Sequence, residues 1–299
     1  MPNTLAHIGI QGLASQAIFR NADLKWVFIG CIIPDIPWIL RHILLKLPFL
    51  HLNPYYLKLF VMVQASLVFC LIFCLILASF SKNFLKTFAI LFLNSFLHLL
   101  LDACQIKWAN GVHLMAPLSW ELTHFSFFWP ESPITFILTG FGLIFILLKW
   151  QQSIKSPINL TLRPSARIYL CAGLFIVYMI SPFYMMNGPL NEDNHFINTF
   201  KNYDSRPGKY VEFDREKFIH QDSENYIKTY TGEKINVSGI KGEHSMIVSA
   251  RAHFVKKNKV NVLEHHEHLP MFRDYASYLG LFLILLVFIL SFVRERKMK

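Results

Sequence analysis

The sequence predicts an α-helical polytopic membrane protein with an inserted small all-β soluble domain, an OB-like barrel, held between its last two membrane helices. Three observations predict it. The 299-residue chain is 54% hydrophobic and only 16% charged, too apolar for an ordinary soluble domain. Apolar stretches approaching the roughly 20 residues that a bilayer-crossing helix needs recur along it. Between the last two of them lies a polar segment, residues 188–272, whose short runs alternate with the period of strands.

The elements follow in order. Residues 5–19 are apolar but short, and they hold His7 and Gln11. With no basic leader and no cleavage site, this stretch reads as a helix packed inside the bundle or re-entrant, not as a signal peptide. Residues 25–46 form a span interrupted by Pro34 and Pro37, and residues 57–80, 84–104, 133–149, 168–186 and 275–293 complete six expected spans. Four regions result: a multi-helix domain over 1–150, a basic linker with a helix over 151–187, the β domain over 188–272, and a last helix with a basic tail over 273–299. The five cysteines (Cys31, Cys70, Cys74, Cys104, Cys171) all lie in apolar stretches and read as small buried hydrophobes, not a disulfide framework.

The net charge of +10 does not indicate nucleic acid, because residues 188–272 carry twelve basic and twelve acidic side chains. The excess flanks the apolar stretches, at Lys149, Lys155, Arg163 and Arg167 and again at Arg294, Arg296, Lys297 and Lys299. That is a positive-inside pattern: it places 150–167 and the tail in the cytoplasm and residues 188–272 outside it. Trp108, Trp120 and Trp129 suit anchoring at the headgroup level.

Within the β domain, 208–214, 226–230, 234–237, 246–255 and 260–263 read as five strands, with turns at Thr231-Gly232-Glu233 and Lys257-Asn258-Lys259. Tyr210, Phe213, Tyr226, Tyr230 and Phe254 read as barrel core in preference to a base-stacking platform. A peptide, a sugar or a partner protein is the expected occupant of such a barrel.

Ionisable residues inside membrane segments are costly, and each is a candidate for function. Asp35 sits in Pro34-Asp35-Ile36-Pro37, where two prolines free backbone groups beside the carboxylate. His98 and Asp102 are one helical turn apart and share a face. His7 adds an imidazole in an apolar segment. Taken singly, each has a plain structural reading as a satisfied pair, a helix cap or a core histidine. Together they form a candidate ligand set for a divalent metal, Zn or Mn. Glu121 and His124 are candidate catalytic residues, Glu121 as a general base, and are otherwise loop residues. The tract Glu264-His265-His266-Glu267-His268, placed after the last strand, reads as a solvated patch able to bind metal or to respond to pH beside headgroups.

Residues 5–131 resemble the YdjM/YbcI-like family of bacterial inner-membrane proteins, which are predicted metal-dependent hydrolases. The resemblance is carried by His7-Ile8-Gly9, Gly30…Pro34-Asp35, His98-Leu99-Leu100-Leu101-Asp102, Gln105 to Gly111, Ala116-Pro117-Leu118-Ser119-Trp120 and Phe128-Trp129-Pro130, in that order. It implies a bacterial inner-membrane location, a metal held by His7, Asp35, His98 and Asp102, and hydrolysis of a membrane-associated or lipid-linked substrate. Two positions depart from the family pattern: Pro37 stands where it has a second acid, and Ala65 where it has a histidine. His42 and His51 lie where they could complete the set. Two other readings stand beside this one. A non-catalytic anchor would present an OB-like module outside the inner membrane. A transporter would use the buried acids for ion coupling, and the odd span count and lack of inverted repeats count against it.

Overall fold

A computed structural model of the protein describes residues 3–156, 166–221, 225–240 and 244–298. Arg163 and Lys299, two of the cations behind the expected orientation, lie outside the described residues.

Helix α1 (Thr4–Ile18) starts where the Asn3 side chain accepts the Ala6 N–H. Asp23 caps α2 (Leu24–Ile32) in the same way. Pro34 then forces one 3-10 turn, Ile33–Asp35, before α3 (Ile36–Leu45) resumes. Asn53 caps α4 (Pro54–Gln64), and α5 (Leu67–Ser79) and α6 (Phe84–Ala103) follow. Residues 105–132 return over the end of the bundle, pinned where Ile106 N–H donates to Phe128 O and Val112 pairs with Thr123. Then come α7 (Pro133–Leu148), α8 (Trp150–Lys155), α9 (Ala166–Met185) and the single turns α10 (Asn187–Asn191) and α11 (Ile197–Lys201). After the β domain, α12 (Phe272–Met298) closes the described chain.

Among the described residues, four helices are long and apolar enough to cross a membrane: Leu24–Leu45, Phe84–Ala103, Arg167–Asn191 and Phe272–Arg296. The six-span expectation differs at two places. The 57–80 stretch is two helices, α4 and α5, bent by 68°, so it counts as a fifth span only if the pair is taken together. Ser66 is extended there, and the Leu67 N–H donates to His113 O instead of continuing the helical ladder. Helix α7 has only 16 residues. Helix α1 is packed inside the bundle, as expected, with His7 and Gln11 fully buried. It lies so close to α7 that a side chain at Gly142 would sit 1.7 Å from Leu5 O.

The β domain is a closed five-stranded barrel of β1 (Tyr210–Ile219), β2 (Tyr226–Lys228), β3 (Lys234–Ser238), β4 (Met246–Lys256) and β5 (Lys259–His268), in the order β1-β2-β3-β5-β4. All neighbours are antiparallel except β3 and β5, which are parallel. Val211, Phe213, Phe218, Ile227, Ile235, Val248 and Phe254 fill it; of the aromatics expected in the core, Tyr226 is buried as well, whereas Tyr210 and Tyr230 lie at its margin. Strand β5 is longer than the sequence predicts: it takes in the whole Glu264–His268 tract, which the pattern puts after the last strand. The tract is polar on both faces, so no hydrophobic alternation marks it, yet its backbone pairs with β4 as far as Ile247–His268.

Arg206 locks the base of the barrel. It is almost wholly buried, forks onto both oxygens of Glu233 at 2.5 and 2.9 Å, and donates to the carbonyls of Phe200 and Lys257. Glu233→Ala strands that charge and should cost about 3 kcal/mol in chemical denaturation, whereas Glu233→Gln, which keeps an acceptor, should cost less.

Candidate metal centre

The polar residues of the bundle converge on one point. On α6, His98 and Asp102 occupy successive turns of the buried face. Gly30 of α2 lies against Asn94 of α6, where a side chain would meet Asn94 Cβ at 2.7 Å. That close approach lets the Cys31 carbonyl accept a 2.6 Å hydrogen bond from His98 Nδ1. The 3-10 turn at Pro34 brings in Asp35, and buried α1 brings in His7, whose ring stacks on that of His98 at 3.7 Å and 2°.

The ligand atoms of His7, His98 and Asp102 all lie within 4.8 Å of one another. His7 Nε2 is 3.5 Å from Asp102 Oδ1, and His98 Nε2 is 3.5 Å from Asp35 Oδ1 and 3.8 Å from Asp102 Oδ2. Those four residues have buried atoms without a hydrogen-bond partner, at His7 Nε2, His98 Nε2, Asp35 Oδ1 and Asp102 Oδ1. Orphaned polar atoms in an interior are expensive, and this cluster of four is a candidate ligand site, with Asp35 joined to it through His98. The spacings suit an ion: ligand atoms around a tetrahedral metal with bonds of about 2.0–2.2 Å stand roughly 3.3–3.6 Å apart. The donor set, two imidazoles and two carboxylates, suits Zn or Mn.

The outer partners set the tautomers. With His98 Nδ1–H donating to Cys31 O, its Nε2 lone pair faces the acids. The Gln11 amide lies 3.0 Å from His7 Nδ1 with its nitrogen toward the ring and its oxygen unpartnered; turned the other way, that oxygen would accept Nδ1–H and free Nε2 in the same way. Lys107 supplies one neutralising charge, 3.5 Å from Asp102 Oδ2.

Asp102 is also at the wall of a cavity of about 420 Å³ between the bundle and the barrel. Pro34, Trp38, Arg41, Lys58 and Ala65 line it from the bundle, Lys107 and His113 from the 105–132 segment, and Asp214, Glu216 and Tyr230 from the barrel. The four metal candidates are thus brought together, whereas Glu121 and His124 are exposed and line no part of the cavity. His51 is likewise exposed, while His42 and Ala65 do line it. Glu216 is the acid that sequence reasoning missed. It sits in an ordinary strand pattern, but burial pushes it up to about 7, against the pull of Lys58. His113 is held neutral, at about 4, by burial.

A second cluster joins the two domains. Glu131, from the end of the 105–132 segment, meets His266 and His268 of β5. Its Oε1 accepts from Arg215 at 2.7 Å and lies 3.0 Å from His268 Nδ1, and Trp129 stacks on His266 at 3.8 Å. The tract read as a solvated patch is therefore half turned inward: His266 and His268 face Glu131, and His265 and Glu267 point to solvent. Burial opposes the Glu131 charge, but His268 and Arg215 outweigh it and hold the carboxyl down to about 2. Burial and the neighbouring His268 push His266 below its usual 6.5. Both folded values lie below the unfolded ones, so both contribute stability at neutral pH that is lost as pH falls. Resistance of the barrel–bundle junction to proteolysis should fall from about pH 6.5 downward, with Glu131 contributing from about 4.5 to about 2. Glu131→Gln should flatten that lower limb.

Comparisons with protein-family models, with curated proteins and with solved structures find no match for this chain.

Proposed function

We propose that the protein is a membrane-embedded, metal-dependent hydrolase acting on a membrane-associated or lipid-linked substrate. The observation that carries this reading is the convergence of four orphaned ligand atoms beside a cavity that reaches the barrel. His7, Asp35, His98 and Asp102 would hold a divalent ion. The ion would supply a Lewis acid that polarises a scissile carbonyl or phosphoryl bond and makes water a nucleophile near neutral pH. The chain's own residues do the rest: Gln11 and the Cys31 carbonyl orient the imidazoles, Lys107 balances Asp102, and Pro34 and Trp38 wall the site on the bundle side. Glu216, near 7, is suited to exchanging a proton within the cavity.

Four helices of spanning length, and the basic flanks read from the sequence, support a multi-pass protein with its barrel outside the cytoplasm. The bacterial inner membrane is proposed only on the resemblance of these motifs to those of the YdjM/YbcI-like family. The strand order, with β3 parallel to β5, supports the OB-like reading and a role in binding substrate or a partner protein.

A second reading, a non-catalytic anchor that presents this barrel, is favoured by Lys107, which gives Asp102 a counter-charge without any ion. Ester and phosphoester lipids in mixed micelles separate the two. The proposal expects metal-dependent hydrolysis that His98→Ala/Asp102→Ala abolishes. A folded, metal-loaded parent that cleaves none of them would favour the anchor.

A further inference from the structure

We infer that the cavity between bundle and barrel is an anion-binding chamber for a phosphoryl group, with Arg41 and Lys58 as the residues that bind it. The inference names the substrate class of the proposed hydrolase and rests on that reading for the reaction, but not for the binding.

A census of the charges lining the cavity carries it. Three of its cations have a carboxylate partner: Lys107 with Asp102 at 3.5 Å, Arg215 with Glu131 at 2.7 Å, and Arg273 with Asp274 at 3.4 Å. Its barrel acids are also engaged. Glu212 accepts from the Ala109 N–H, Arg251 and the Tyr210 hydroxyl, Asp214 from the Asn110 amide, and Glu216 from the Tyr230 N–H. Two cations are left without an ion pair, although Glu216 acts on both and Asp214 on Lys58 at longer range. Among the described residues no carboxylate lies within 4.0 Å of Arg41 or Lys58, and Arg41 Nε and Nη2 are buried with no hydrogen-bond partner at all.

The two cations are neighbours. Lys58 Nζ stands 3.9 Å from the centre of the Tyr230 ring, and the Arg41 guanidinium carbon stands 5.4 Å from it. The free Nε and Nη2 form one edge of the guanidinium, the edge that grips two oxygens of an oxyanion side-on. An ammonium beside it adds a second positive charge, so the pair matches a dianionic phosphoryl group better than a single carboxylate. Because Asp102 lines the same cavity, a phosphoryl group held there shares its chamber with the proposed metal. The competing role for Arg41 and Lys58 is purely structural, as cation–π contacts that seat the barrel on the bundle.

The test uses the full chain purified in detergent, inorganic phosphate as the probe, calorimetric titration at constant ionic strength, and metal content measured on the same samples. Phosphate should bind the parent, and Arg41→Gln and Lys58→Met should each weaken it about tenfold while metal content stays unchanged. Phosphate binding that is absent in the parent, or equal in parent and variants, overturns the inference. If the variants do not fold, Glu216→Gln decides: at alkaline pH, where Glu216 is ionised, removing its charge should tighten phosphate binding, and unchanged binding overturns the inference. Metal without phosphate binding would leave the hydrolase standing and remove the chamber. Phosphate binding that depends on Arg41, in a protein that takes up no metal, would do the reverse. Nanodiscs containing phosphatidic acid, set against phosphatidylcholine alone, identify the source. Displacement of bound phosphate by the former supports a lipid headgroup, and no displacement supports a soluble phosphoester.

Discussion

His98→Ala/Asp102→Ala is expected to take the purified protein from about one divalent ion per chain to none, read by elemental mass spectrometry after reconstitution with Zn or Mn. The two residues are half of the proposed ligand set, and both ride on the buried face of α6. Loss of an outer-shell partner alone typically costs about 10–100-fold in metal affinity, so loss of two ligands should exceed about a thousandfold. Glu131→Gln/His266→Gln should be introduced in both samples, because the junction cluster could otherwise hold an ion of its own. Stability provides a second readout. An ion present at about 100 times its dissociation constant adds about 2.7 kcal/mol to the folded state. A chelator should therefore lower the melting temperature of the parent and leave that of the double variant unchanged. The variant's own melting temperature also carries the cost of stranding buried Lys107, so the readout is the chelator-induced difference within each protein. A parent that binds no metal under reconstitution would end the hydrolase reading.

Gly142→Val should prevent α1 from seating and so remove His7 from the site. The added Cβ would fall 1.7 Å from Leu5 O and 2.4 Å from Leu5 C, both backbone atoms that no rotamer change can move. From the opposite side, a Cβ at Gly9 would meet the Gly142 backbone at 2.7 Å. Small residues at a helix crossing permit this approach and the dispersion contacts that come with it. Ordinary overpacking costs about 1–3 kcal/mol, and a backbone-to-backbone clash should cost more, about 4 kcal/mol or above. The expected result is loss of monodisperse protein on detergent extraction, or folded protein with metal content reduced to that of His7→Ala. Gly140→Val, two residues away with open space at its Cβ, is the control and should extract normally. Equal behaviour of the two variants would mean that the α1–α7 crossing does not position His7.

The parts of the site that the sequence discloses are the local ones. His98 and Asp102 are four residues apart in an apolar run, so helical geometry alone puts them on one face. Pro34 beside Asp35 announces a break whatever surrounds it. His7 was recognisable as an imidazole out of place, but its stacking on His98 depends on glycines at two helix crossings, and a crossing leaves no mark in hydropathy. The bend between α4 and α5 was hidden for a related reason: an apolar average over residues 57–80 does not register a single extended residue at Ser66. Strand β5 escaped at its polar end because a strand that faces charge on one side and water on the other does not alternate in hydrophobicity.

Composition, periodicity and charge balance by themselves determined the apolar helices, the small barrel of five strands, the absence of a disulfide framework and the pair on α6, because each is set within one element or by a sum over the chain. Only the tertiary structure decided that Asp35 and His7 face that pair, that Glu131 meets His266 and His268, that Glu121 and His124 stay outside, and that Arg41 and Lys58 line one cavity with Asp102 and Tyr230. These are encounters between residues far apart in the chain, made by helix crossings and by the seating of the barrel on the bundle, and spacing along the chain carries no record of them.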